Sequence, residues 1–200
     1  MAGIGLYGVY YAKATLTNGR PTSYGEVKQM GKAISASFEP AETGGNPLYA
    51  NNSIAETDAA LVAGGNLTLT LDRLTLEARA DLYGLTATTK TVTVGGDTVT
   101  GDGFEYDGSE SPAMVGVAFI RQSQENNDRN IHDVLIYPAC TFQEPSDDMQ
   151  TLGESVEWQT PELTAVVSGA AVTGPDYPWR VLMRFDSQAA AEQYIEDFFA

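Results

Sequence analysis

The chain has 200 residues, 42% hydrophobic and 19% charged, a balance that excludes a disordered polymer and is long enough for one domain with a real core. Its net charge of −16 opposes any tight complex with nucleic-acid phosphates, and a single cysteine, Cys140, rules out an internal disulfide framework. No apolar run approaches the ~20 residues a membrane-spanning helix needs, and the opening MAGIGLYGVYYAK lacks the basic region and long apolar core of a secretion signal, so the chain reads as one folded where it is made.

In chain order, Tyr7, Val9 and Tyr11 alternate and predict a short strand. Asn18-Gly19-Arg20-Pro21 is a turn, and Gly31–Phe38 is the next strand, with Ile34, Ala36 and Phe38 facing inward. Residues 39–65 form a long loop with almost no regular period, and loops of that length in compact domains are often functional. Leu48, Tyr49, Ile54, Leu61 and Val62 on it need a partner surface, in the same chain or in another copy.

Ala63–Leu85 is the stretch around which the rest of the chain is organised. Leu67, Leu69 and Leu71 alternate with Asn66, Thr68 and Thr70, a strand with one buried face. At Asp72 the period changes: Leu74, Ala78 and Leu82 recur every four residues, with Asp72 as the expected N-cap and Gly84 as the stop. Residues 91–100 read as a hairpin of two Thr/Val arms around Gly95-Gly96. The acidic stretch with Asp102, Glu105, Asp107 and Glu110 lacks the ligand order of an EF-hand and reads as a solvated loop. Val115, Val117 and Phe119 are in phase on an apolar strand, and His132–Phe142 is another, paired with it and bulged or at an edge because of Pro138. Residues 154–160 and 162–168 alternate again, and Gly174-Pro175-Asp176-Tyr177-Pro178 turns the chain into Trp179–Phe185. A last helix over Gln188–Phe199, capped by Asp186 or Ser187, has an apolar stripe of Ala190, Ala191, Tyr194, Ile195 and Phe198. The fold class is therefore mainly β, a β-sandwich or barrel with one short helix after an early strand and a C-terminal helix.

Motifs for chemistry are scarce. The lone His132 has no Cys or His partner at metal-ligand spacing. Eight residues separate it from Cys140, which places the two on the same strand face but roughly 26 Å apart, too far for a nucleophile and base. Gly3-Ile4-Gly5-Leu6-Tyr7-Gly8 matches a dinucleotide-binding pattern by letter, without the strand before it or the helix after it. No catalytic, cofactor or metal residues are assigned, and the chain does not read as an enzyme.

Several stretches, in order, resemble a known family. They are the opening Gly5-Leu6-Tyr7-Gly8-Val9-Tyr10-Tyr11-Ala12, Gly31-Lys32-Ala33 before a strand, Leu48-Tyr49-Ala50-Asn51-Asn52, and Gly64-Gly65 before Leu67-Thr68-Leu69 with its Asp72 corner ending at Gly84. Val115-Gly116-Val117-Ala118-Phe119 and a Tyr137-x-x-Cys140-x-Phe142 strand followed by Glu144-Pro145 complete the set. Together, over most of residues 1–165, the chain resembles the major tail protein of long-tailed phages and prophages of Gram-positive bacteria. The family expects an acid after Leu-Tyr-Ala, where this chain has Asn51.

The resemblance implies one tail-tube-like domain over residues 1–200, with a long loop at 39–65 and a hairpin insertion at 91–100. Copies form rings, usually six-fold, that stack into a tube in the virion, made in the bacterial host cytoplasm. DNA passes through the tube without specific binding, and the other partners are tail terminator, tape measure and tail-tip proteins, with no membrane and no cofactor. The loop residues Pro47, Leu48, Tyr49, Ile54, Leu61 and Val62 are the implied contacts between rings. Residues 1–35 carry Lys13, Arg20, Lys28 and Lys32 against Glu26 alone, so Lys28 and Lys32 are candidate basic contacts to acidic neighbours. The alternatives are a tube protein of a phage-derived injection machine or tailocin, and a monomeric β-sandwich module binding carbohydrate or protein.

Overall fold

The computed structural model describes residues 2–42, 47–50, 53–57, 62–125, 128–146, 151, 159–168 and 178–200. The chain opens with β1 (Ala2–Thr17), β2 (Arg20–Tyr24), β3 (Lys28–Gly31) and β4 (Ala33–Glu42). Then come β5 (Pro47–Ala50), β6 (Ser53–Thr57), β7 (Val62–Leu71), α1 (Leu76–Tyr83), β8 (Ala87–Val94) and β9 (Asp97–Phe104). The last elements are β10 (Met114–Glu125), β11 (Asp128–Gln143), β12 (Glu162–Ser168), β13 (Val181–Phe185) and α2 (Gln188–Phe199). Mainly β, with an early short helix and a C-terminal one, is the class the sequence pattern predicts. Of the expected strand at 154–160, residues 154–158 lie outside the described residues, and 159 and 160 are not in a strand.

Among the described residues, nine strands form one antiparallel sheet in the order β2-β1-β10-β11-β12-β7-β4, with β3 also on β1 and β13 also on β11. Its pivot is β11. The β10–β11 ladder slips where Gly116 faces Pro138 and Ala139, because proline has no amide to donate to a ladder. Before the slip, residues 132–136 pair with β13; after it, residues 140–143 pair with β12. The sheet thus turns back on itself, and Phe38 of β4 packs on Tyr137 of β11 with ring centroids 4.9 Å apart.

The core between the two layers holds Leu67, Leu69 and Leu71 from β7, Val115, Val117 and Phe119 from β10, and Phe142 and Leu163. α1 adds Ala78, Leu82 and Tyr83. A second core lies on the outer face, where Ala191, Ile195 and Phe199 of α2 cover Ala118, Ile120, Val134 and Ile136. β10 is therefore buried on both faces from Val115 to Ile120. That is the physical reason its sequence is a continuous apolar run rather than an alternation.

The corner after β7 differs from expectation. Asp72 is not the N-cap of α1; Thr75 is, its hydroxyl accepting from Ala78 N at 3.1 Å. The Asp72 carboxylate instead accepts from Lys32 N and Arg73 N, both at 2.8 Å, and the Asp72 amide donates to Lys32 O at 2.9 Å. These bonds clasp the end of β7 to the start of β4 and hold the Asp72 pKa below its ordinary value, the Lys32 amide contributing most. Gly84 ends the helix as expected, at φ 68°, and a Cβ there would collide with the Ser111 carbonyl. Ser187 caps α2, accepting from Ala190 N at 3.3 Å.

Three bulges overturn phase assignments. One between Tyr7 and Val9 leaves Val9 and Tyr11 buried and turns Tyr7 out of that row. Another between Ala33 and Ser35 puts Ala33, Ala36 and Phe38 against the core and leaves Ile34 55% exposed, not inward. The third, at Pro138–Ala139, breaks the same-face assignment of His132 and Cys140: Cys140 belongs to the inter-layer core, whereas His132 is in phase with Val134 and Ile136 on the α2 side.

Candidate assembly surfaces

The segment 39–65 is more regular than its sequence suggests. β4 extends to Glu42 and β7 starts at Val62. Between them β5 and β6 pair as a small antiparallel sheet, with Pro47 opposite Thr57, Leu48 opposite Glu56 and Tyr49 opposite Ile54. This sheet has no third strand among the described residues. Four predicted contact residues, Pro47, Leu48, Tyr49 and Ile54, are thus brought onto one two-stranded arm. Val62 stands apart from them, opposite Glu42 at the start of β7, and Leu61 lies outside the described residues. A strand pattern of only four or five residues per arm is too short to register as a period, which is why the sequence reads as a loop.

The structure separates the two candidate lysines. Lys28 Nζ lies 2.8 Å from Glu77 and 2.9 Å from Asp81 of α1, and Tyr11 donates to the same Asp81 oxygen at 3.0 Å. Hydrogen bonds to Glu77 and then Asp81 raise the Lys28 pKa, so this ammonium secures α1 to β3 within the chain. Lys32 has its side chain exposed, while its backbone holds the Asp72 clasp.

The acidic loop also satisfies itself locally. Asp102 accepts from Thr89 at 2.8 Å, Glu105 pairs with Lys90 at 2.9 Å, and Glu110 and Asp107 accept from the Asp107 and Ser109 amides. Among the described residues no group of three or more His, Cys, Asp or Glu is placed to hold a metal.

A cross-strand row absent from the sequence reading spans β10, β11 and β13. Asp133 is fully buried, opposite Arg121 on one side and Arg184 on the other. Arg184 Nε donates to Asp133 Oδ1 at 2.8 Å, while Arg121 Nη2 at 3.0 Å and Ser123 Oγ at 2.8 Å donate to Oδ2. Burial alone would raise the Asp133 pKa; the bonds from Arg184, Ser123 and Arg121 outweigh it and hold the carboxyl below its ordinary value. The available signal was an acid in phase with Leu135 and Tyr137 inside an apolar strand, because a buried carboxylate demands cationic partners.

Next to this row, β1, β4, β10 and β11 enclose a groove of about 470 Å³. Leu6, Ile34, Phe38 and Phe119 line it, and Arg121 and Arg180 add positive charge in a strongly acidic protein. The Arg180 guanidinium stands 5.7 Å from the Tyr137 ring centroid and 5.9 Å from that of Phe38.

The hairpin at 91–100 forms as expected and extends further, over β8 and β9, with Gly95 and Gly96 both at positive φ as its tight turn requires. Among the described residues, the strands of the main sheet that pair on one side only are β2, β3, β4 and β13. No helix there is long and apolar enough to cross a membrane. No protein-family model matches the sequence, and no curated protein is similar to it.

Proposed function

We propose that this protein is a structural subunit that assembles with copies of itself into stacked rings, forming the tail tube of a long-tailed phage through which DNA passes. The observation that carries this reading is the β5–β6 arm. The described part of the segment with the implied ring contacts includes a two-stranded sheet, β5–β6, that joins no other strand among the described residues. Two-stranded sheets are marginal on their own, so such an arm gains from a neighbour. The open edges of β4 and β13 add to this support, because unpaired backbone donors and acceptors on an edge favour strand pairing with another chain. The charge of −16 suits a passage that DNA must traverse without sticking.

Negative-stain electron microscopy across a concentration series tests the reading: rings or tubes with a central hole are expected. Deleting Leu48–Ile54 is expected to leave the far-ultraviolet circular dichroism and the rings intact while abolishing stacking. Monomers at every concentration, also after addition of tail-tip proteins, refute the assembly, and tubes grown by the deletion variant refute the role of the arm.

A further inference from the structure

The β8–β9 hairpin has eight residues in each arm and pairs with no third strand among the described residues. Its register sets Val92 opposite Val99 and Val94 opposite Asp97, so three valines and the Asp97 carboxylate share one face. The valines are 57%, 65% and 53% exposed in the order Val92, Val94 and Val99. The opposite face, with Thr91, Thr93, Thr98 and Thr100, is suited to water; the valine face is not. None of the residues lining the 470 Å³ groove comes from β8 or β9, so the chain does not cover this face with its own groove.

We propose that the valine face of the β8–β9 hairpin docks into the Arg-flanked groove of a second copy, with Asp97 meeting the Arg180 guanidinium. This contact rests on the self-assembly reading above and specifies its surfaces. The two surfaces are complementary in kind. The hairpin offers branched aliphatic side chains with one carboxylate at the tip; the groove offers Leu6, Ile34, Phe38 and Phe119 with the Arg180 guanidinium, Arg121 being already paired with Asp133. The bulge that expels Ile34 from the core places it on the groove, where an arriving valine shields it from water. Of the hairpin's charges, Lys90 and Asp102 already have partners within it or its loop, which leaves Asp97 as the charge that selects the groove. Where each copy's hairpin enters the groove of the next copy, the contact is heterologous and propagates into a ring or a filament.

The full-length chain supplies a clean test, because its single native thiol, Cys140, is fully buried and burial raises its pKa. A Val99→Cys variant is mixed with an Ile34→Cys variant under mild oxidation, with an exposed Thr22→Cys variant as the control partner. The Ile34 mixture is expected to form disulfide-linked dimers at least about tenfold faster than the control, since docking raises the effective thiol concentration. Asp97→Arg in the hairpin partner is expected to slow this about tenfold, and Arg180→Asp in the groove partner to restore it. Equal rates with Ile34 and Thr22, or rates indifferent to Asp97→Arg, overturn the contact. Electron microscopy of the wild type separates the two levels: rings without preferential cross-linking overturn the hairpin contact alone, and cross-linking without rings supports the contact while overturning the tube. Absence of any association overturns both.

Discussion

Replacing Asp133 by Asn tests the buried charge row with almost no change in shape. The wild-type carboxylate accepts from Arg184, Arg121 and Ser123. An amide removes the negative charge and turns an NH2 toward one of these donors. Breaking a buried pair by removing one partner costs about 3–5 kcal/mol. Here the Arg121 and Arg184 side chains are 45% and 41% exposed, and Arg184 also has Glu125 at 4.0 Å, so water and a second acid take over part of the loss. The expected cost is about 2–3 kcal/mol at neutral pH, a fall in Tm of roughly 4–12 °C for a chain of this size. The pH dependence has a definite sign. The folded-state pKa lies below its ordinary value, so the contribution is fully present above the unfolded pKa of about 3.9 and is lost as pH falls through the folded value. Urea unfolding of wild type and Asp133→Asn at pH 7 and near pH 3 measures both. The difference should be large at pH 7 and clearly smaller near pH 3, where the unfolded carboxyl has taken up its proton. A difference under about 0.5 kcal/mol at pH 7, or one that persists unchanged in acid, refutes the assignment of Asp133 as an ionised anchor.

Phe199→Ala is expected to cost about 3–5 kcal/mol in urea unfolding, because the ring is buried, meets Tyr24 edge-on at 4.8 Å and closes the second core. Thr75→Ala should cost about 1 kcal/mol through loss of the α1 cap, whereas Asp72→Ala should disturb the β4–β7 clasp and leave helix content unchanged by circular dichroism. Tyr83→Phe should be neutral or stabilising by up to about 1 kcal/mol, since its buried hydroxyl has no hydrogen-bond partner among the described residues; a loss above 1 kcal/mol contradicts this.

Legibility in the sequence tracked how local each cause was. The Leu67–Leu71 row, the Gly84 stop, the Gly95-Gly96 turn and most of the α2 stripe were readable, because each depends on side chains a few residues apart; in that stripe Ala190 is exposed and Phe199, not Phe198, is the fully buried ring. The role of Asp72 was not, because the donor that competes for its carboxylate, the Lys32 amide, lies forty residues upstream. The candidate surfaces were legible only in part. Composition marked residues 39–65 as needing a partner, and the structure places four of the named residues on one arm. Lys28 and Lys32 look alike in the sequence, and only the packing of α1 sets Glu77 and Asp81 beside the first of them.

The amino-acid sequence by itself determined the β-rich class, the two helices and most of the strands, because hydrophobic period and turn chemistry act within a few residues. The tertiary structure decided the rest. Bulges at Gly8, Ile34 and Pro138 shift the side-chain phase of the strand beyond them, and a period of two cannot announce where it will slip. Arg121, Asp133 and Arg184 meet only because β10, β11 and β13 are neighbours, and the groove beside them exists only because the sheet turns back on itself at Pro138. Those are consequences of strand order, set by the free energy of the whole core rather than by any one segment.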